Sequence, residues 1–395
     1  VNVPEAPRGA GVDAATAWQR SLAHNDAVWD APPRNTESVK ARLHRGIVAP
    51  RTEPKFAIGV DDAFFCIGSC FARELEDSLL VHGLRVDSLN LPVALDTPAQ
   101  RRTGMVNKFT TPSMLNELLW AFGEQPFPEN ALIESPEGYY DLQLRPNVKP
   151  RPLDDVRGRR STVIGYFERI RRANVVVLTL GLTEIWFDRR AGLYLNGIPP
   201  QRLVERYPER FTLHARTYAE TLADLEACRR LLVAHVQPGV RLVVTVSPIP
   251  LRRTFFDEDV LTANGYSKAV LRAAAGDFAA AHDDVAYFGS YEMITVSDRA
   301  LVFRKDDEIH VYPEAANAVT AAFLRAYGLP LTAAHPEFHE QTYLRLNPDV
   351  SEAVARGEFA SGYDHWLRHG RDEERPLRDD TPGSPGLRPY GDVAR

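Results

Sequence analysis

The sequence predicts an α/β protein built on a doubly wound, flavodoxin-like parallel sheet, and two observations carry that reading. Three short runs, 64–67, 175–180 and 241–246, are apolar almost throughout and rich in aromatic or β-branched residues. Continuous apolar runs of this length are the mark of strands covered on both faces, as in a parallel sheet. The intervals between them carry amphipathic helical patterns, and strands alternating with helices imply parallel crossovers.

The elements follow in order. Residues 1–54, rich in Pro, Ala and charge, read as an irregular arm with one short helix over 16–22. Its Trp18 and Trp29 are expected to pack on the main domain, since extended arms use aromatics that way. The first strand, 64–67, runs into Gly68-Ser69. A helix over 71–82 follows at once, with Leu75, Leu79 and Leu80 at helical spacing and Gly83 to stop it. A second strand spans 84–88, and 90–100 is a loop with two prolines. Residues 113–122 form a helix through Met114, Leu115, Leu118 and Leu119. From 123 to 160 Pro, Gly and charge dominate, which a crossover does not need; this reads as an insertion lining a pocket mouth.

A helix over 163–173 feeds the strand 175–180. Residues 187–212 are expected to form a β-hairpin excursion with its turn at Asn196-Gly197. A helix over 216–235 carries Tyr218, Leu222, Leu225 and Leu232 on one stripe. Then come the strand 241–246, a helix over 262–282, a short strand over 285–288 and a closing helix over 313–327.

Composition narrows the function classes. The 395 residues are 44% hydrophobic and 25% charged, which suits a globular chain with one large domain and additions. A net charge of −6 offers no basic face for a nucleic-acid partner. Three cysteines argue against a disulfide framework. No run of 18 apolar residues and no signal pattern at Val1-Asn2-Val3-Pro4 occur, so no transmembrane segment and a cytoplasmic location are expected. No cofactor is expected. No metal is expected either, because Cys66, Cys70 and a His lack zinc-motif spacing, and His335 and His339 lie in a downstream segment.

The chemistry centres on the turn after the first strand. Ser69 stands where strand gives way to helix, beside backbone N–H groups that have no intrahelical partner. Those groups and the helix dipole favour negative charge on an attacked carbonyl. The alternative reading is that Ser69 caps its helix. Cys70 is a rival nucleophile one residue on, since a thiol near a helix N-terminus is easily ionised. The two side chains should not face the same carbon, and Cys70, like Cys66, reads as a small buried hydrophobe. Far downstream, Asp307 and His310 lie three apart, an orienting carboxylate and a general base for a nucleophile. Asp306 reads as a solvated loop carboxylate.

The string Gly68-Ser69-Cys70-Phe71-Ala72 resembles the signature of the GSCFA family, a branch of the SGNH (GDSL-like) hydrolases. The order Ser69, Asp307, His310 is similar to the order of that superfamily's triad. Further matching pieces are Leu180-Gly181-Leu182-Thr183-Glu184-Ile185-Trp186, Val246-Ser247-Pro248-Ile249-Pro250, Tyr266-Ser267-Lys268 with Leu271-Arg272, and Ser290-Tyr291-Glu292, over about 55–328. The resemblance implies an SGNH-type domain at 55–330, with Ser69, Asp307 and His310 catalytic. Gly181, Thr183, Glu184 and Trp186 would line the oxyanion site or pocket, and Lys268, Arg272, Tyr291, Glu292 and Arg304 would support it. The chain departs from the superfamily at the oxyanion site, where Thr183 replaces Asn and no Gly follows the second strand.

Residues 336–378, with Phe338, Tyr343, Asn347-Pro348, Ser361-Gly362-Tyr363, His365-Trp366 and His369-Gly370-Arg371, resemble a small helical motif of bacterial surface-glycan and glycosyltransferase proteins. The organisation read here is an arm at 1–54, the α/β domain, a helical accessory unit at 331–378 and a loose tail at 379–395. The expected function is serine acyl transfer, an esterase or deacylase acting on an ester of a carbohydrate or an acylated small molecule. One alternative is an O-acyltransferase using an acyl donor in bacterial glycan modification, in contact with glycan-synthesis enzymes. The other is a non-catalytic glycan-binding or scaffold module.

Overall fold

The computed structural model describes residues 11–30, 36–43, 46–89, 91, 102–144, 148–329, 331, 338–356, 358–359, 361–371 and 373–377. The apolar runs form five parallel strands: β1 (Ala63–Gly68), β2 (Arg85–Val86), β3 (Val175–Leu180), β4 (Arg241–Val246) and β5 (Val285–Tyr287). Their order across the sheet is β2-β1-β3-β4-β5, the flavodoxin-like arrangement. Six helices flank it: α1 (Cys70–Val81), α2 (Thr111–Phe122), α3 (Leu153–Glu168), α4 (Tyr218–His235), α5 (Val260–Ala281) and α6 (Pro313–Ala326).

The period of two along each strand divides the core into two layers. Phe65, Ile67, Val176, Leu178, Leu242 and Val244 face α2 to α5, whereas Phe64, Cys66, Val175, Val177 and Val243 face α1 and α6. Every residue of β1 and β3 is buried, which is why these strands read as continuous apolar runs and not as alternating ones. Sheet and helices therefore form the three-layer sandwich that the sequence predicts.

Two glycines are required where the chain packs most closely. A Cβ on Gly68 would stand 1.7 Å from Thr179 Oγ1 and 2.8 Å from Thr179 O. One on Gly181 would stand 2.6 Å from Phe109 O. Both lie at the carboxyl edge of the sheet, where β1 has β2 on one side and β3 on the other. The connections leave β1 in opposite directions there, and doubly wound sheets bind ligands at such a point.

Several expectations need correction. Trp18 and Trp29 are 68% and 66% exposed, so the arm does not bury them against the domain. Tyr218 opens α4 near the surface and bonds Asp277 instead of joining the buried stripe of Leu225, Cys228 and Leu232. The segment 123–160 is not irregular. It contains an antiparallel hairpin, Leu132–Ser135 with Gly138–Asp141, and α3 begins as early as Leu153. Its Asp154 and Asp155 fall in the first helical turn, where acidic residues suit the dipole, a signal hidden by the neighbouring prolines.

The excursion after β3 is a three-stranded antiparallel sheet of Leu193–Tyr194, Glu184–Asp188 and Phe211–Ala215, with a helix at Gln201–Arg206. Its tight turn is at 189–192, closed by Gly192 at φ +70. Asn196-Gly197 is not that turn, because the Asn196 amide is spent on Phe109 N–H, Asn107 O and Leu144 O. Ile133, Tyr140, Leu142, Leu195, Leu203 and Phe211 make a separate small core that joins the hairpin to this excursion.

The C-terminal segment folds as helices Glu340–Leu346, Pro348–Ala355 and Gly362–His365 around Phe338, Tyr343, Val350, Tyr363 and Trp366. Val81 of α1 belongs to the same cluster, and His339 Nε2 lies 3.1 Å from Glu74 Oε2 on that helix. The proline loop at 90–100 apart from Leu91, Pro32-Pro33, His335 and the tail at 379–395 lie outside the described residues.

Candidate active site

The turn after β1 presents two neighbouring side chains to different surroundings. Ser69 is the N-cap of α1 in extended conformation, but its hydroxyl makes no capping bond. It is buried and lies 3.4 Å from the Ser247 hydroxyl, directly after β4. The capping alternative therefore does not describe this serine. Cys70, the first residue of α1, is partly exposed, while Cys66 and Cys228 are buried. Its thiol and the His310 imidazole are electrostatic neighbours. The expectation that Cys70 is a small buried hydrophobe is corrected here, because at the first helical position its side chain clears the strand and meets the His loop.

His310 is held from behind. Its Nδ1 lies 2.5 Å from Asp307 Oδ2, and its own N–H donates to Asp307 Oδ1 at 3.0 Å. Ile309 N–H donates to the same oxygen. A turn with Glu308 in the left-handed region, at φ 56, lets Asp307 reach both backbone and ring. The ends of this loop are joined by Arg304 N–H to His310 O and by a bridge between Phe303 and Val311. Asp306 forms an exposed ion pair with Arg304, which puts both at the surface and leaves the orienting position to Asp307.

The electrostatics follow from these contacts. Interaction with the Cys70 side chain pushes the His310 imidazole up to about 9; burial opposes this and Asp307 adds to it. Burial favours the neutral Asp307 carboxyl. The His310 ring and the N–H groups of His310 and Ile309 outweigh it and hold the group well below the usual carboxylate range. The His310 imidazole thus lies between the Asp307 carboxylate and the Cys70 thiol, near the start of α1.

The other predicted residues separate into two groups. Gly181, Thr183 and Lys268 lie at the carboxyl edge with Ser69. Lys268 Nζ donates to Gly181 O at 2.6 Å and to Ser247 O at 2.8 Å, and Ser267 Oγ accepts the Thr183 N–H. Thr183 Oγ1 is buried with no hydrogen-bond partner. Glu184 accepts the Phe255 N–H, and Trp186 packs edge-on against Phe255 at 5.3 Å. Glu184 thus bonds neither Lys268 nor Arg272. Arg272 instead pairs with Glu292 at 2.5 Å and stacks on Tyr287, while Tyr291 packs against the core. Among the described residues no bond joins this second group to Ser69, Cys70 or His310.

Two parts of the site lack a sequence assignment. Ser247 had a readable signal, a polar residue immediately after a buried strand. The segment Asn107-Lys108-Phe109 had none, since it crosses the sheet edge from a distant loop. Lys108 N–H donates to Gly68 O, and Leu182 N–H donates to Phe109 O. Away from the site, Glu74, Asp77 and His339 bring one ligand atom each within 4.8 Å of one another, the donor types a divalent cation takes.

Fold and site together define a doubly wound α/β protein that sets an Asp–His pair against the turn after its first strand. The GSCFA family model matches residues 63–323, from the first residue of β1 to Phe323 in α6. That span is more than half of the chain, and the protein belongs to the GSCFA family. No curated protein gives a significant match to it.

Proposed function

We propose that this GSCFA protein catalyses acyl transfer through an acyl-enzyme on Cys70, with His310 as proton carrier and Asp307 fixing the ring. The observation that carries this reading is the proximity of the partly exposed Cys70 thiol to the His310 imidazole, whose ring Asp307 holds from behind. The sequence alone pointed to Ser69 as nucleophile. The Ser69 hydroxyl has Ser247 and not an imidazole as its partner, and an unassisted hydroxyl is a poor nucleophile.

In the first half-reaction the thiolate attacks the acyl carbon. A C–S bond forms, and the carbonyl oxygen takes the charge beside the first N–H groups of α1. The tetrahedral species collapses, and His310 gives its proton to the departing oxygen or sulfur. In the second half, His310 takes a proton from water or an acceptor hydroxyl, whose oxygen attacks the thioester and frees Cys70. The Asp-x-x-His loop supports placing the domain beside the SGNH hydrolases. A carbohydrate ester or acceptor is the substrate class, supported by the resemblance of residues 336–378 to a glycan-associated motif. Transfer from a thioester donor to a sugar hydroxyl is the second reading, favoured by the thiol because thiol–thioester exchange costs little.

The test is acid-quench mass spectrometry after exposure to nitrophenyl acetate and to an acyl thioester. The expected adduct is on Cys70, is released by hydroxylamine, and is absent from Cys70→Ala. An adduct on Ser69 that survives in Cys70→Ala would overturn the assignment. Faster release with added oligosaccharide than with water alone identifies a transferase.

A further inference from the structure

The excursion after β3 carries a cavity of about 480 Å³ that the reaction above does not use. That volume falls in the range of small-molecule sites, about 300–1,000 Å³. Four arginines line it. Arg189 and Arg190 come from the tight turn, Arg206 ends the helix Gln201–Arg206, and Arg210 precedes the strand Phe211–Ala215. In a chain of net charge −6 these four cations face one opening, where they repel one another unless an anion joins them.

The walls are fixed by bonds that leave the charges in place. Arg189 N–H donates to Arg210 O at 2.8 Å, which ties the turn to the opposite wall. Asp188 Oδ1 accepts the N–H groups of Arg190 and Ala191, at 3.0 and 3.1 Å. Arg210 is 7% exposed; its Nε and Nη2 pair with Asp188, and Nη2 also donates to Asn130 O at 2.6 Å. Its Nη1 has no partner among the described residues. The Arg190 side chain pairs with no carboxylate among the described residues. Arg206 bonds the Tyr207 hydroxyl, a neutral partner. Arg189 lies 3.9 Å from Glu209, whose side chain is 94% exposed, and a pair so open to water neutralises little. Asp188 is spent on Arg210, so three guanidiniums share one exposed carboxylate.

We propose that this cavity binds an anionic sugar, its guanidiniums pairing with a carboxylate or phosphate carried on the ring. The guanidinium fork matches the oxygens of either group with two parallel bonds. A cleft lined by one sign of charge also draws in counter-ions. Tyr207 and Pro208 are the uncharged part of the lining, a flat surface that a sugar ring fits and a bare ion does not need. The saccharide class rests on the carbohydrate reading above; the anionic group rests on the arginines. The strand Glu184–Asp188 leads from the carboxyl edge of the main sheet to the cavity, a length of roughly 13 Å. A group held there is a remote unit of an extended substrate and not the ester that reacts.

The experiment is isothermal titration calorimetry on the full chain with tetragalacturonate and with a phosphorylated mannooligosaccharide. Neutral maltotetraose and tetraglutamate are the controls. Wild type should bind at least one of the acidic saccharides more tightly than either control, and more weakly as salt is raised. Arg189→Gln combined with Arg190→Gln, both at exposed positions, should weaken that binding about tenfold, the scale of one lost charge-assisted bond. Folding is checked by circular dichroism, and Arg206→Gln serves as a second variant with the same expected loss. Unchanged affinity in a folded variant, or no binding of either acidic saccharide to wild type, would overturn the site. Tetraglutamate bound as tightly as the saccharides would overturn the sugar and point to an acidic peptide. The two readings fail separately: a missing Cys70 adduct in wild type overturns the reaction, and unchanged binding in the arginine variants overturns the cavity.

Discussion

Ser69 Oγ lies 3.4 Å from Ser247 Oγ, so the two hydroxyls bridge the carboxyl ends of β1 and β4 across the intervening β3. A bond of this kind ties the turn to the sheet and gives the serine no base. Ser69→Ala should therefore cost about 1 kcal/mol in urea unfolding, the ordinary net value of one hydrogen bond. Turnover should remain within about tenfold of wild type, whereas Cys70→Ala should lose several orders of magnitude, as removal of a nucleophile does. Ser247→Ala should resemble Ser69→Ala, and the double variant should be less costly than the sum. Loss of turnover in Ser69→Ala with Cys70→Ala active would return the chemistry to the serine.

The Asp307–His310 pair makes stability depend on pH in a defined direction. The His310 value is raised in the folded protein, so its contribution is fully present below the unfolded histidine value of about 6.5. It is lost as pH rises through about 9. The Asp307 value is depressed, so its contribution is present above the unfolded value of about 3.9 and is lost on acidification through the folded value. Both act together between about pH 4 and 6.5. The Tm gap between wild type and His310→Gln should be widest in that window and should close above about pH 9. A gap that stays constant from pH 5 to pH 10 would show that the ring is not held as an imidazolium.

The sheet was legible because buried parallel strands leave continuous apolar runs such as 175–180 and 241–246, which few other structures require. Asp307 and His310 were legible because one turn of chain sets their spacing. The different surroundings of Ser69 and Cys70 were not. Adjacent residues at a strand–helix turn point in different directions, and which of them lies nearer His310 depends on where a loop 240 positions downstream comes to rest. The sequence motif contains both residues and does not distinguish them. Lys108 was hidden for the same kind of reason, since its value to the site lies in its backbone N–H.

Lys108 also belongs to a buried charge network behind the turn. Its ammonium lies 2.5 Å from Glu117 Oε1, Arg160 lies 2.9 Å from the same oxygen, and Arg160 pairs with Asp141 at 2.5 Å. Lys108 and Glu117 are fully buried, so removing the shared carboxylate takes from Lys108 its bonded counter-charge, while Arg160 keeps Asp141. Glu117→Ala should cost about 3–5 kcal/mol in urea unfolding. It should also lower turnover in protein that remains folded, because Lys108 N–H holds Gly68 O at the nucleophile turn. Glu117→Ala with wild-type stability would mean that the network is open to water.

The last prediction concerns the helical segment after α6. Its core includes Val81, with Leu80 packed against it, and His339 pairs with Glu74, so the segment sits along the helix that begins at Cys70. Ser69, Cys70, Lys268, Asp307 and His310 all precede it in the chain. Truncation after Leu329 should uncover Val81 and Leu80 and remove the Glu74 ion pair, costing about 2 kcal/mol, the scale for exposing one aliphatic side chain. The measurement is Tm together with turnover on two substrates, a small acyl thioester and an acylated oligosaccharide. The truncated protein should melt earlier and should still alkylate at Cys70 and turn over the small thioester, while activity on the oligosaccharide falls. Equal retention on both substrates would remove the segment from substrate recognition. Loss of small-thioester turnover, with circular dichroism unchanged, would show that α1 needs this support to hold Cys70 against His310, and the segment would then count as part of the catalytic unit.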